Sequence, residues 1–199
     1  IEKYPAYYFV GFLIFEFFAT ATQTSLTTLK DNSSLLIKSK LPRELFVLSR
    51  VLTAFVNFLL GCIPFAAVLA WYRAAVTIYY FMIPVVLLLL LIFTTGMSYL
   101  VSIWFVFQRD ARNIYSNFIF ILRFFVAMFY SVDWVADGVK WVIQHNPLYA
   151  YIYVMRQCVV YGRMPEGMYI TQMFAWAIGM FGFGILIFKK YENEVVERL

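Results

Sequence analysis

Glu16 and Arg123 are ionisable side chains set deep in apolar sequence, in GFLIFEFF and FIFILRFF respectively. A charge at the centre of a bilayer costs at least ~2.5 kcal/mol on insertion scales, so such residues pair with one another or face water. The chemistry open to this acid and base is an ion pair, within one chain or between two copies, beside a polar path. The pair either closes that path at rest or meets whatever passes along it. Phe12, Phe15, Phe125 and Phe129, on the same two segments, are candidates to line the path. Tyr and Trp in YPAYY, AWYR, DWVADGVKW and YAYIY also suit the aromatic belts where a membrane meets water.

Chemistry of the enzymatic kind has few footholds. No Gly-rich phosphate loop, nucleophile elbow or metal-spaced His/Cys set occurs, and His145 is the single histidine. Beside Asn146 and Pro147 it reads as a capping or interfacial residue. Cys62 and Cys158 sit in or near apolar segments at no metal spacing and read as small buried hydrophobes. A chain without a catalytic site, a metal site or a cofactor of its own is expected.

The elements that must position these residues are membrane helices. Of 199 residues, 63% are hydrophobic and 14% charged, where soluble domains are roughly a quarter charged. Apolar runs near the roughly 20 residues needed to cross a bilayer recur at about 7–28, 45–70, 78–107, 114–130 and 169–188. The expected fold is therefore all-α: a polytopic helical membrane protein forming one transmembrane domain over residues 1–199. Lys30, Lys38, Lys40 and Arg43 fall between the first two runs, Arg109 and Arg112 between the third and fourth, and Lys189 and Lys190 after the last. The stretches near Arg73 and over 131–168 are poorer in positive charge. Because cytoplasmic loops are enriched in Lys and Arg, the alternation puts the basic loops and the C-terminus in the cytoplasm. Five spans then leave Ile1 outside, and a sixth, N-terminal span is expected upstream.

Residues 131–167 fit no simple span. The stretch from Trp134 onward is moderately apolar but interrupted by Asp137, Lys140, His145, Asn146, Pro147 and Arg156. A pair of short helices dipping into the outer leaflet and turning at Asn146-Pro147 is expected, since non-helical backbone is tolerated at depth where protein covers it or water reaches it.

Between the first two spans, SLLIKSKLPRELFVLSR gathers basic residues around Pro42, which breaks or begins a helix. Residues 30–44 read as a surface helix and turn, with Lys38, Lys40, Arg43 and Glu44 toward the cytoplasm and Leu35, Leu36, Ile37 and Leu41 turned inward. Charge alone is equally consistent with an ordinary basic loop.

GFLIFEFF, NSSLLIKSKLPRELFVLSRVL, FQRDARNI and NPLYAYIYVMRQCVVYG, in that order, resemble the membrane subunit of ABC-2 type exporters of bacterial surface polysaccharides, which include teichoic acid, O-antigen and capsule permeases. The resemblance implies a homodimer in the bacterial cytoplasmic membrane, six helices per subunit, and two copies of a separate ATPase that binds ATP and Mg. It implies that residues 30–44, with Leu35, Lys38, Lys40, Pro42, Arg43 and Glu44, couple the chain to that ATPase. The expected cargo is a lipid-linked polymer, with membrane lipids around it and no nucleic acid partner. Where the family pattern carries amides near the two charged sites, this chain carries Glu16 and Arg123. An ABC-2 exporter of a drug or lipid remains the alternative, followed by a membrane-embedded transferase and a non-transporting assembly subunit.

Overall fold

The computed structural model describes residues 4–38, 41–72, 77–108 and 110–198. Lys40, Arg73 and Arg109 lie outside the described residues, as does the side chain of Ile37. The regular elements of the described residues are all helices, with no strand: α1 Tyr4–Asp31, α2 Ser33–Lys38, α3 Glu44–Trp71, α4 Ile83–Phe107, α5 Ala111–Phe125, α6 Asp137–Gln144, α7 Pro147–Arg156 and α8 Gly167–Arg198. A 3-10 turn, Ile78–Met82, leads into α4, where Pro84 occupies the first turn, a position in which its missing N–H costs nothing.

Four stretches are long and apolar enough to cross a membrane: Tyr4–Asp31, Glu44–Trp71, Ile78–Phe107 and Gly167–Val195. Five were expected, and the difference falls on 114–130. There the helix stops at Phe125, and Ala127 takes a left-handed conformation (φ 48°) that a non-glycine residue rarely adopts. The stretch expected as the fourth crossing is thus a 15-residue helix, about 22 Å long, followed by irregular chain.

Small residues set the tightest contact. A Cβ at Gly96 would lie 2.5 Å from the Met180 carbonyl oxygen, and one at Gly184 would overlap the Gly96 backbone. Close backbone approach of this kind is what small residues permit between membrane helices. Gly179 and Gly182, grouped with Gly184 in the sequence, face open space instead. Thr22, Ser25, Thr28, Thr94, Ser98 and Ser102 are fully buried on α1 and α4, and Thr22 bonds the Phe18 carbonyl oxygen of its own helix, as hydroxyls do where no water is present.

Helices α6 and α7 form a hairpin that dips among the long helices. Its turn at His145, Asn146 and Pro147 borders a groove shared with Phe18, Phe93, Met97 and Met180, residues well inside α1, α4 and α8. Asn146 caps α7 by accepting the Leu148 N–H and donates to the Phe125 carbonyl oxygen where α5 ends. Pro147 follows at the first helical position, the place a proline suits best.

Candidate functional site

One face of α1 carries the candidate path. Glu16, Thr20, Gln23, Thr24 and Thr27 recur at spacings of three and four, which places them on one side of a helix, and they are exposed or half-buried. Other faces of the helix are taken. Phe17 meets Phe55 and Phe58 of α3, Phe18 stacks on Phe93 of α4, and Phe15 lies beneath the Arg123 guanidinium of α5 at 5.4 Å. The polar stripe is what remains, between the flanks that meet α3 and α5.

Helix α5 is two-sided. Arg112, Asn113, Ser116, Asn117 and Arg123 cluster on one half, Ile114, Phe118, Ile121 and Phe125 on the other, while Ala111, Tyr115 and Ile119 are buried. The Arg123 contact with Phe15 sets its polar half beside α1.

Glu16 and Arg123 lie on helices that touch but form no ion pair within the chain; among the described residues the salt bridge present is Lys140 with Asp133, at 3.8 Å. Glu16 is exposed, and the buried Nε of Arg123 has no hydrogen-bond partner. Phe12 is half-buried and stacks on Tyr8 at 5.9 Å; Tyr8 in turn meets Phe129 at 5.6 Å. Phe129 contacts Phe124, and Phe124 contacts Phe120, so a run of rings crosses the seam between α1 and α5. Phe125 is exposed at 38%. Phe15, expected on the path, is fully buried and acts as the platform under Arg123. Tyr8, Phe120 and Phe124 join this run of rings without having been expected in it; the spacing of Tyr8, Phe12 and Glu16 was a signal for Tyr8, whereas Phe120 and Phe124 had none.

At the basic end, α2 buries Leu36 against Leu29, Val47, Tyr99, Ile103 and Phe188. Leu35 and Leu41, expected to turn inward, are 55% and 58% exposed. A helix of six residues has one narrow face on the protein, and Leu36 occupies it. Lys38 and Pro42 are exposed and Glu44 is half-buried. Arg43 donates to the Glu192 carbonyl oxygen at 2.6 Å and to Asn193 Oδ1 at 3.0 Å, which ties this segment to the far end of α8.

A family model matches most of the sequence, from α1 through the π-helical turn after α7. Residues 3–160 match the model described as ABC-2 type transporter. The chain belongs to this family. It is the membrane permease component of an ABC-2 transporter. Among curated proteins it is 25% identical over 200 residues to an O-antigen export system permease protein RfbA of Klebsiella pneumoniae, covering all of this chain and 77% of that protein. A protein of the same name from Myxococcus xanthus is 25% identical over 202 residues, with the same coverage.

Arg156 holds the hairpin to the rest of the ABC-2 fold, a role sequence reading missed by counting it only as a polar interruption. It is 3% exposed and donates through Nε to Tyr7, through Nη1 to Ala127 and through Nη2 to Met128, all backbone carbonyl oxygens, at 3.1 to 3.2 Å. The signal for it was a lone arginine in the apolar run YAYIYVMRQCVV.

Proposed function

We propose that this chain is the transmembrane half of an ATP-driven exporter of a bacterial surface polysaccharide, working as two copies with two copies of a cytoplasmic ATPase. The observation that carries the reading is the polar stripe of α1. A membrane-spanning helix does not present Glu16, Gln23 and three threonines to lipid; water or further protein must cover them, and on this reading both do, a conduit and a second copy. Two copies meeting along α1 and α5 would face these stripes across a shared path. The rings from Phe12 to Phe120 would give it aromatic faces on which sugars slide without a deep binding site. The relatives' names, O-antigen export permeases, favour polysaccharide over a drug or lipid.

On this reading the basic end of the molecule is cytoplasmic and the hairpin end is outside. The ATPase grips Leu35, Leu41 and Lys38, and Arg43 passes its movement to α8 as well as to α3. ATP and Mg act on the partner, so no reaction is catalysed by this chain. The test is surface display of polymer in cells lacking the native permease and supplied with this chain and its ATPase. Display that depends on both proteins and on ATP hydrolysis supports export. Full display without this chain overturns it.

A further inference from the structure

A second polar feature lies apart from the stripe of α1, at the hairpin end. A cavity of about 490 Å³ opens there, bounded by α7, the start of α8, the residues before α6, and Tyr7. That volume falls within the roughly 300–1,000 Å³ of small-molecule sites. Its construction is local and specific. After α7 the chain widens into one π-helical turn, Gln157–Tyr161, a rare form frequent at functional sites. The turn is closed by Gly162 in the left-handed region (φ 60°) and by the Arg163 N–H donating to the Gln157 carbonyl oxygen at 2.9 Å. Gln157, Tyr161 and Arg163 are thereby brought to the cavity wall.

The wall combines aromatic rings with carboxylates. Tyr153 and Tyr169 meet with centroids 4.0 Å apart and ring planes tilted by 35°, and Tyr149 meets Tyr169 edge to face at 5.8 Å. Tyr153 donates to Glu166 at 2.9 Å; burial, then that carboxylate, pushes its phenol up, so the proton stays on the tyrosine. Asp133 accepts from Ser131 and pairs with Lys140. Aromatic faces beside carboxylates and side-chain amides suit a ring that has an apolar face and a rim of hydroxyls. A phosphate would find a single uncommitted cation on this wall, the exposed Arg163: among the described residues Arg156 is committed to three backbone carbonyl oxygens, Lys140 is paired, and Asp133 and Glu166 would repel a second anion.

We infer that this cavity is a saccharide subsite on the outer face, taking uncharged sugar rings of the polymer as it leaves the conduit. The inference rests on the polysaccharide export proposed above.

The test uses the full permease–ATPase complex in lipid nanodiscs. The probe is delipidated surface polysaccharide, released by mild acid from the cells in which the complex restores display, and the readout is saturation-transfer NMR. Two variants spare the packing: Tyr161→Ala, since Tyr161 is 40% exposed, and Gln144→Ala on the opposite wall. Saturation transfer to sugar ring protons is expected in the parent complex and should fall at least about fivefold in each variant. Inorganic pyrophosphate in excess should leave it unchanged. No transfer, equal transfer in parent and variants, or displacement by pyrophosphate overturns the subsite. Polymer display in the same cells is scored separately, so a failed subsite with intact display leaves export standing, whereas display independent of the permease removes both.

Discussion

The guanidinium of Arg156 lies 3.4 Å from the ring centroid of Tyr7, on a helix 149 positions away in sequence. The same guanidinium holds the Ala127 and Met128 carbonyl oxygens, so one side chain joins α1, the chain after α5 and α7. Hydrogen bonds from a charged donor contribute about 1.5–3 kcal/mol each, and three acceptors would be left buried without it. Arg156→Ala should lose at least about 3 kcal/mol of stability, read as a lowered melting temperature of the detergent-solubilised protein. Arg156→Lys should recover only part, because a single ammonium cannot match the fork that reaches three carbonyls.

Gly96 and Gly184 mark the closest approach of α4 and α8. Gly184→Val should separate the helices and lower both yield in the membrane and thermal stability, by an amount typical of overpacking, about 1–3 kcal/mol or more. Gly179→Ala and Gly182→Ala should be neutral or slightly stabilising, since a Cβ there meets nothing and alanine favours helix. Equal losses at all three glycines would sink this account.

The long helices were legible because each is an apolar run bounded by charge or proline; the third, read as 78–107, ends where the structure ends it. The hairpin was legible too, since Asn146-Pro147 is a cap followed by a first-turn proline whatever surrounds it. What escaped the sequence came from distant partners. Residues 114–130 look continuous, yet Arg156 draws the carbonyls of Ala127 and Met128 toward itself and the helix stops at Phe125. Local periodicity holds no trace of that contact. Leu35 and Leu41 were assigned to the protein side on hydrophobicity alone, and α2 is too short to bury more than Leu36.

Glu16 and Arg123 sit on neighbouring helices without pairing inside one chain. If they pair across two copies, Glu16→Gln and Arg123→Gln should each reduce membrane yield and polymer display, and the double substitution should restore most of what either loses. Breaking one partner of a buried pair typically costs about 3–5 kcal/mol because the other charge is stranded. Strictly additive losses in the double variant would show instead that the two charges act separately, Glu16 from the water-facing stripe.

Leu35 and Leu41 are exposed beside Lys38, while Leu36 anchors the short helix from below. The two roles separate cleanly by substitution. Leu35→Asp and Leu41→Asp should leave the melting temperature of the permease nearly unchanged, within about 0.5 kcal/mol as for most surface changes, yet abolish co-purification with the ATPase. Leu36→Asp should unfold this end of the molecule, by burying a charge against Val47 and Phe188. Arg43→Ala should behave differently from both. It removes the link to Glu192 and Asn193 without altering the exposed leucines, so the ATPase should still bind while polymer display falls severalfold and ATP hydrolysis continues. Loss of ATPase binding in Arg43→Ala would place Arg43 in the docking surface itself, and unchanged display would show that α8 needs no tie to the segment around Pro42.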